Sequence, residues 1–153
     1  MERRDRAGDD NWVRQRHQAI TAHDAARRRR QAKEAREASA LLTDFVGEAR
    51  RTGLATQPLT ARPHRGGARY RTGLRGWYIK VDRSLAVGTD GNLYLLSVPA
   101  SMRGWLTGVR VTPIEPRLVI GAGGRDGESV PLAALLDQRL TGGSASPRPG
   151  ADS

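Results

Sequence analysis

The spacing of apolar residues predicts that the chain begins with a long helix. From Asp10 to about Thr52 there is no proline, and alanine, arginine and glutamate, which favour helices, dominate. In the second half of this stretch, apolar residues recur every three or four positions and form one seam: Ala35, Ala38, Leu42, Phe45 and Ala49. Gly53 stands where a left-handed glycine commonly ends a helix. We therefore predict a basic helical segment over residues 10–53, preceded by a charged, disordered stretch over residues 1–9.

Beyond the helix, the pattern changes to the two-residue period of β-strands. Residues 54–68 are rich in proline and glycine, which predicts a linker or an extended arm. From Trp77 to Asp82 apolar and polar residues alternate, as in a half-buried strand. The pair Asp90-Gly91 then lies between two apolar runs, a strong hairpin signal. Residues 76–98 are therefore predicted to form a three-stranded meander.

A second helix is predicted near the end of the chain, over Val130–Leu140. Ser129 is positioned to cap it, and its leucines fall on one face. Residues 141–153 are rich in glycine, serine and proline, which predicts a disordered tail. The expected fold class is α+β: a long N-terminal α-helix, then a small, mostly antiparallel β-sheet with a C-terminal helix, the small α+β domain covering residues 69–140. A partly closed barrel is one form that such a sheet can take.

The composition narrows the possible chemistry. The chain has no cysteine, which excludes disulfides, thiolate metal sites and cysteine nucleophiles. The glycine-rich residues 121–127 lack the lysine of a Walker A loop and the glycine spacing of a dinucleotide-binding loop. The histidines His17, His23 and His64 complete no recognised metal pattern. We predict no enzymatic activity, no cofactor and no metal. Because no apolar run resembles a signal peptide or a membrane span, we expect a cytoplasmic protein and no membrane partner.

The positive charge of the chain is unevenly distributed. The formal net charge is +10. Residues 52–80 contain six basic side chains and no acidic one, whereas basic and acidic groups balance over residues 81–153. A GC-rich genome accounts for arginine being used in place of lysine, but it does not account for the absence of acids from residues 52–80. This asymmetry indicates a polyanionic partner.

The residues predicted to meet that partner are arginines, a lysine and tyrosines. Arginine presents a planar fork suited to phosphate, and aromatic rings can stack on unpaired bases. The candidate nucleic-acid-binding residues are Arg27, Arg28, Arg29, Arg30, Arg62, Arg65, Arg69, Tyr70, Arg71, Arg75, Tyr78 and Lys80. In an extended strand Arg69 and Arg71 share a face, with Arg75 also on it unless Gly73 introduces a bulge. The alternative is that Tyr70 and Trp77 are core aromatics over which the arginines extend.

Two functional hypotheses follow from these patterns. The leading one is a non-enzymatic nucleic-acid-binding or ribonucleoprotein-associated protein, with RNA and DNA both open as partners. The alternative is a protein–protein interaction module, in which the helical seam defined above packs against a second copy of the chain or against a partner helix. A membrane-surface helix ranks below both, because the Arg-rich half of the helix has no large apolar face to insert.

Overall fold

The computed structural model describes residues 2–121 and 129–142. In chain order the helices and strands are α1 (Glu2–Arg51), β1 (Gln57–Pro63), β2 (Tyr70–Tyr78), β3 (Leu85–Gly88), β4 (Leu93–Leu95), β5 (Ser97–Val98), α2 (Met102–Thr107), β6 (Val119–Ile120), β7 (Val130–Pro131) and α3 (Leu132–Thr141). The predicted α+β class is confirmed. The predicted glycine-rich loop at 121–127 and tail at 141–153 lie almost entirely outside the described residues.

Both ends of helix α1 can be compared with the ends predicted from the sequence. It starts at Glu2, whereas the sequence predicts a helical segment from residue 10. Its end is as predicted: Gly53 adopts a φ of 72°. The N–H of Gly53 donates to the Arg50 carbonyl (3.2 Å) and that of Leu54 donates to the Ala49 carbonyl (2.8 Å). These two bonds form a Schellman cap. The chain divides into two units, one up to Glu34 and one from Ala35 onward.

The main sheet has five strands in the order β4-β3-β2-β1-β5. Strands β2, β3 and β4 form the predicted antiparallel meander, and only the β1–β5 pair is parallel. The hairpin between β3 and β4 turns at Asp90-Gly91, where Gly91 has a φ of 82°. The Asp90 carboxylate accepts hydrogen bonds from the Asn92 N–H (2.9 Å) and the Tyr94 hydroxyl (2.6 Å). The sheet is therefore mostly antiparallel, as predicted.

Strand β1 corrects the interpretation of residues 54–68 as a linker. Residues 57–63 lie inside the sheet between β2 and β5. Proline lacks an N–H, which made a strand here look unfavourable. However, Pro58 and Pro63 lie near the ends of β1, and the intervening residues complete the ladder: the Arg62 N–H, for example, donates to the Leu96 carbonyl at 2.7 Å.

The sheet curls because its two edge strands, β4 and β5, are almost adjacent in the sequence. Strands β4 and β5 stand at opposite ends of the strand order, yet only Leu96 separates them in sequence. The Leu96 N–H donates to the Ser84 carbonyl beside β3 (2.8 Å), while its own carbonyl accepts from Arg62 in β1 (2.7 Å). The barrel is not closed, since β4 and β5 are consecutive segments and not a hydrogen-bonded pair.

Each face of this curled sheet carries a cluster of buried residues. The inner cluster, on the concave face, consists of Leu59, Tyr78, Ala86, Tyr94 and Leu96. The outer cluster joins the other face to helices α1 and α3, and its sheet members are Trp77, Ile79, Leu85, Val87 and Leu93. Because neighbouring residues on a strand alternate between the clusters, β2 is buried on both sides at Trp77 and Tyr78. The prediction of a half-buried strand there is wrong, and Val81 is fully exposed.

The helical seam packs inside its own domain. Ala38, Leu42, Phe45 and Ala49 are buried in the outer cluster. The Phe45 ring meets the Trp77 ring edge-on at 5.6 Å, and the Trp77 indole N–H donates to the Leu54 carbonyl (3.0 Å). The sheet therefore already covers the seam that the alternative hypothesis assigns to a second copy or a partner helix.

Helix α3 completes the outer cluster. Leu132, Leu135 and Leu136 are buried, which confirms the predicted apolar face. Ser129 does not cap the helix, because Val130 and Pro131 pair with β6 and the helix begins only at Leu132. No helix in the described part of the chain is both long and apolar enough to cross a lipid bilayer.

Replacing Leu42, which is 1% exposed, by alanine should reveal how strongly α1 is held on the sheet. We expect the free energy of unfolding to fall by about 2–5 kcal/mol, because a buried leucine loses its transfer free energy and leaves a cavity. Urea denaturation followed by circular dichroism measures this loss. Ser39→Ala, on the exposed side of the same helix, is the matched control and should change it by less than about 0.5 kcal/mol. Equal losses in the two variants would contradict the observed packing.

Candidate nucleic-acid interface

The N-terminal unit carries the four consecutive arginines Arg27–Arg30 on helix α1. All four are exposed. Successive residues of a helix point about 100° apart, so these guanidinium groups surround the axis instead of lining one face. Among the described residues, none of the four forms an ion pair with a carboxylate. This turn of the helix therefore presents four exposed guanidinium groups without an ion pair to a described carboxylate, although Asp24 lines the same surface depression as Arg27 and Arg30.

In the second unit, four of the predicted arginines are also exposed: Arg62, Arg65, Arg71 and Arg75. Arg75 and Arg71 in β2 stand opposite Pro58 and Thr60 in β1. On β1 one residue lies between Pro58 and Thr60, whereas on β2 three residues lie between Arg71 and Arg75. Strand β2 therefore bulges by two residues. Gly73 lies in this bulge with a φ of 74°, at the position where the sequence analysis allowed for one. Because the bulge adds an even number of residues, Arg71 and Arg75 stay on one face.

Arg69 differs from these exposed arginines, because three hydrogen bonds occupy its guanidinium group, whereas Arg75 donates one, from Nη2 to the Thr56 carbonyl (3.2 Å). It is half-buried, and its Nε donates to the Thr60 hydroxyl at 2.7 Å. Its Nη2 donates to the carbonyls of Thr60 (2.5 Å) and Arg83 (3.1 Å). Arg69 thus ties β1, β2 and the turn before β3 together. We assign it a structural role in place of the predicted phosphate contact.

The two tyrosines predicted to stack on bases are core residues. Tyr70 is 6% exposed and Tyr78 is 7% exposed, so neither ring offers a free face. The Tyr78 hydroxyl accepts a hydrogen bond from the Thr60 N–H (2.8 Å), and the Tyr70 hydroxyl accepts one from the Ser101 N–H (2.9 Å). The predicted stacking role is therefore wrong. The alternative, in which Tyr70 and Trp77 are core aromatics, describes the structure.

Lys80 and Arg62 share their surroundings with an acidic residue. Lys80 is half-buried, and Asp82 follows in the same turn. Hydrogen bonds from Ser84, helped by the nearby charges of Lys80 and Arg62, hold the pKa of Asp82 below its ordinary value even though partial burial opposes this. The carboxylate therefore stays ionised near neutral pH and offsets part of the local positive charge. Arg71 and Arg75 have no such counterpart among the described residues.

Helix α2 is seated on β2 by close backbone contacts. A Cβ at Gly104 would lie 2.7 Å from a Val109 methyl group and 3.3 Å from the Tyr70 ring. A Cβ at Gly108, which has a φ of 81°, would lie 2.7 Å from the Arg71 carbonyl oxygen. The same carbonyl accepts a hydrogen bond from the Val109 N–H (2.8 Å). Two glycines four residues apart thus allow α2 to approach the sheet closely.

This seating leaves an exposed surface that the sequence analysis missed. On its outer side, α2 exposes Met102, Trp105 and Leu106. Between its last residues and the β2 bulge lies an open groove of about 440 Å³, lined by Arg71, Thr72, Gly73, Thr107, Gly108, Val109 and Arg110. The signal was present, since positions 102, 105 and 106 fall on one helical face. It was missed because the sequence alone leaves residues 99–107 open between a loop and a short helical turn.

The described residues contain no group of three or more histidine, aspartate or glutamate side chains that could hold a metal ion. No known protein family matches the chain, and neither the curated proteins nor the solved structures include a match to it. Function must therefore be inferred from the charges and contacts described above.

Arg69→Lys should destabilise the domain, because lysine lacks the fork that reaches both Thr60 and Arg83. We expect the free energy of unfolding to fall by about 1–3 kcal/mol, the usual cost of leaving buried hydrogen-bonding groups without partners. Arg71→Lys is the matched control, because this arginine lies two residues further along the chain, in β2, with an exposed side chain, and the change should be nearly neutral. Urea denaturation of both variants decides the matter. An unchanged stability for Arg69→Lys would remove the structural assignment.

Proposed function

We propose that this protein binds nucleic acid, RNA or DNA, through arginine–phosphate contacts, and that it acts as a non-enzymatic binding or ribonucleoprotein-associated protein. One observation supports this most directly. The exposed arginines Arg62, Arg65, Arg71 and Arg75 belong to a segment without a single acid, and none of them is ion-paired within the described residues. Exposed arginine forks that no carboxylate neutralises suit phosphate groups.

The two units support this proposal independently of each other. Arg27–Arg30 surround one turn of a helix, while Arg71 and Arg75 lie together on one face of a sheet. Neither arrangement presents hydrogen-bonding groups in a pattern suited to reading base edges. Binding is therefore expected to depend strongly on salt and only weakly on sequence. A cytoplasmic location is part of the proposal, and the absence of cysteine is compatible with it.

The first test of this proposal measures salt dependence. Fluorescence anisotropy with labelled RNA and DNA oligonucleotides should give a logarithm of affinity that falls linearly with the logarithm of salt concentration. Converting Arg71 and Arg75 to alanine should weaken binding to all sequences and reduce the slope by about 0.7–0.9 for each phosphate that is no longer neutralised. Converting Arg27–Arg30 to alanine tests the helical segment in the same way.

The matched control for these variants is Arg51→Ala. Arg51 is an exposed arginine of the second unit, but Glu48 already pairs with it through two hydrogen bonds. Its removal should leave the salt slope unchanged. An affinity that does not respond to salt, or that survives removal of both arginine groups, would refute the proposal.

Asp82→Asn should strengthen binding, because it removes the carboxylate that lies near Arg62 and Lys80. Asparagine keeps an oxygen that can accept the hydrogen bonds from Ser84 (3.0 and 2.7 Å), so the turn should persist. The expected gain is at most several-fold, as for other exposed charges. Because the pKa of Asp82 lies below its ordinary value of 3.8, the gain should be constant from about pH 5 to pH 8. Weaker binding by the variant would exclude Arg62 and Lys80 from the interface.

A further inference from the structure

Helix α2 carries an apolar ridge that the rest of the described domain leaves uncovered. Met102 is 87% exposed, and Trp105 and Leu106 are each 65% exposed. Helical geometry places Met102 and Leu106 roughly opposite Gly104, the only residue of α2 that is buried, and Trp105 about 100° from it, beside Met102 and Leu106 on the exposed side. Large apolar side chains that share one exposed face commonly mark a binding surface.

The ridge is held in place by contacts underneath it. The Tyr70 hydroxyl accepts a hydrogen bond from the Ser101 N–H at the start of the helix (2.9 Å). The Gly104 N–H donates to the Ser101 hydroxyl (3.2 Å), which caps the helix. At the other end, the Val109 N–H donates to the Arg71 carbonyl (2.8 Å). Both ends of α2 are therefore fixed to β2, and Trp105 is exposed on a supported helix and not on a free loop.

Positive charge flanks the ridge without an acid to neutralise it. Arg71 and Arg110 line the groove at the end of α2, and no acidic side chain lines it. Arg103 is exposed on the helix itself. The chain has no acidic residue from Gly91 to Ile114. The last-turn carbonyls of Arg103 and Gly104 accept hydrogen bonds from the Thr107 hydroxyl (2.7 Å) and the Gly108 N–H (2.9 Å), so they are already engaged. The groove is thus suited to an anion.

We propose that α2 and this groove bind single-stranded nucleic acid: an unpaired base stacks on Trp105, and the neighbouring phosphates contact Arg71 and Arg110. This inference rests on the proposed function and adds the form of nucleic acid and the residue that contacts its bases. An aromatic ring can stack on any base whose face is free, and backbone-tracking cations combined with such a ring are typical of single-strand binding. In a duplex the neighbouring base pairs cover those faces.

Two other partners fit this surface less well. Helices that lie in a membrane surface have an extended apolar face, whereas the ridge consists of three side chains on a helix of six residues. Specific protein interfaces usually cover about 800 Å² on each partner and involve roughly 20–30 residues a side, whereas this ridge offers three apolar side chains. A single-stranded nucleic acid needs one aromatic face beside cationic groups, which is what α2 and the groove provide.

The experiment compares a labelled single strand with a duplex of equal length by fluorescence anisotropy, using the full chain. Trp105→Ala should weaken single-strand binding roughly 5- to 100-fold and leave duplex binding nearly unchanged. Trp105→Phe, which keeps an aromatic face, should restore most of the affinity. Arg71→Ala combined with Arg110→Ala should reduce the single-strand salt slope by about 1.4. Trp12→Ala, a similarly exposed tryptophan in the N-terminal unit, is the matched control and should have little effect.

Tryptophan fluorescence provides an independent measurement. In a Trp12→Phe protein the two remaining tryptophans are Trp77, which is 1% exposed, and Trp105. Addition of the single strand should quench the exposed tryptophan, because stacking brings the base onto the indole ring. A duplex at the same concentration should quench it much less.

The outcomes separate this inference from the proposed function. If single strand and duplex bind equally and Trp105→Ala changes neither affinity, the inference is overturned while the proposed function stands. If no nucleic acid binds, both are overturned. The inference also fails if Trp105→Ala abolishes binding to vesicles of phosphatidylglycerol, or a dimer seen by light scattering, without weakening single-strand binding. In those cases the ridge serves a lipid surface or a second copy of the chain.

Discussion

The domain depends on a constraint imposed by Leu96, the one residue between the two edge strands of the main sheet. Its N–H donates to the Ser84 carbonyl beside β3, and its carbonyl accepts a hydrogen bond from Arg62 in β1. A single residue therefore joins the two edges of the sheet. A five-stranded sheet can meet that condition only by curling. The curl creates an inner face that Tyr78 and Tyr94 fill, and an outer face that must be covered by helices. Helices α1 and α3 provide that cover, and the arginines are left outside.

Local patterns predicted the parts of this fold that depend on local interactions. The helical seam, the left-handed glycine at position 53 and the Asp90-Gly91 hairpin were all visible, because each is determined by residues close together in sequence. Strand β1 was not, because two of its residues are prolines and its partners are chosen by long-range pairing. The parallel contact between β1 and β5 has no local signature. This contact forms because the sheet curls, and the sheet curls because only one residue separates β4 from β5, which lie on opposite edges.

The same difference explains which candidate site residues are exposed and which are buried. Arg62, Arg65, Arg71 and Arg75 are exposed, as expected of long charged side chains. The tyrosines were misplaced because alternation along a strand distinguishes its two sides but does not say which side faces water. Both sides of β2 are buried at Tyr78, whereas at Tyr70 one side is buried and the neighbouring Arg71 is exposed, and both tyrosines are core residues. Arg69 was misplaced because hydrogen bonds to backbone carbonyls across two turns leave no trace in the sequence.

The way α2 is attached also bears on how this surface could change during evolution. The body of the domain holds this helix through main-chain atoms, a tyrosine hydroxyl and two glycines, and uses none of its outward side chains. Substitutions at Met102, Arg103, Trp105 or Leu106 should therefore hardly change the stability of the fold. Such a segment can acquire a new preference by single substitutions while the scaffold stays constant. Related chains should therefore keep the Gly-x-x-x-Gly spacing and diversify the residues around it.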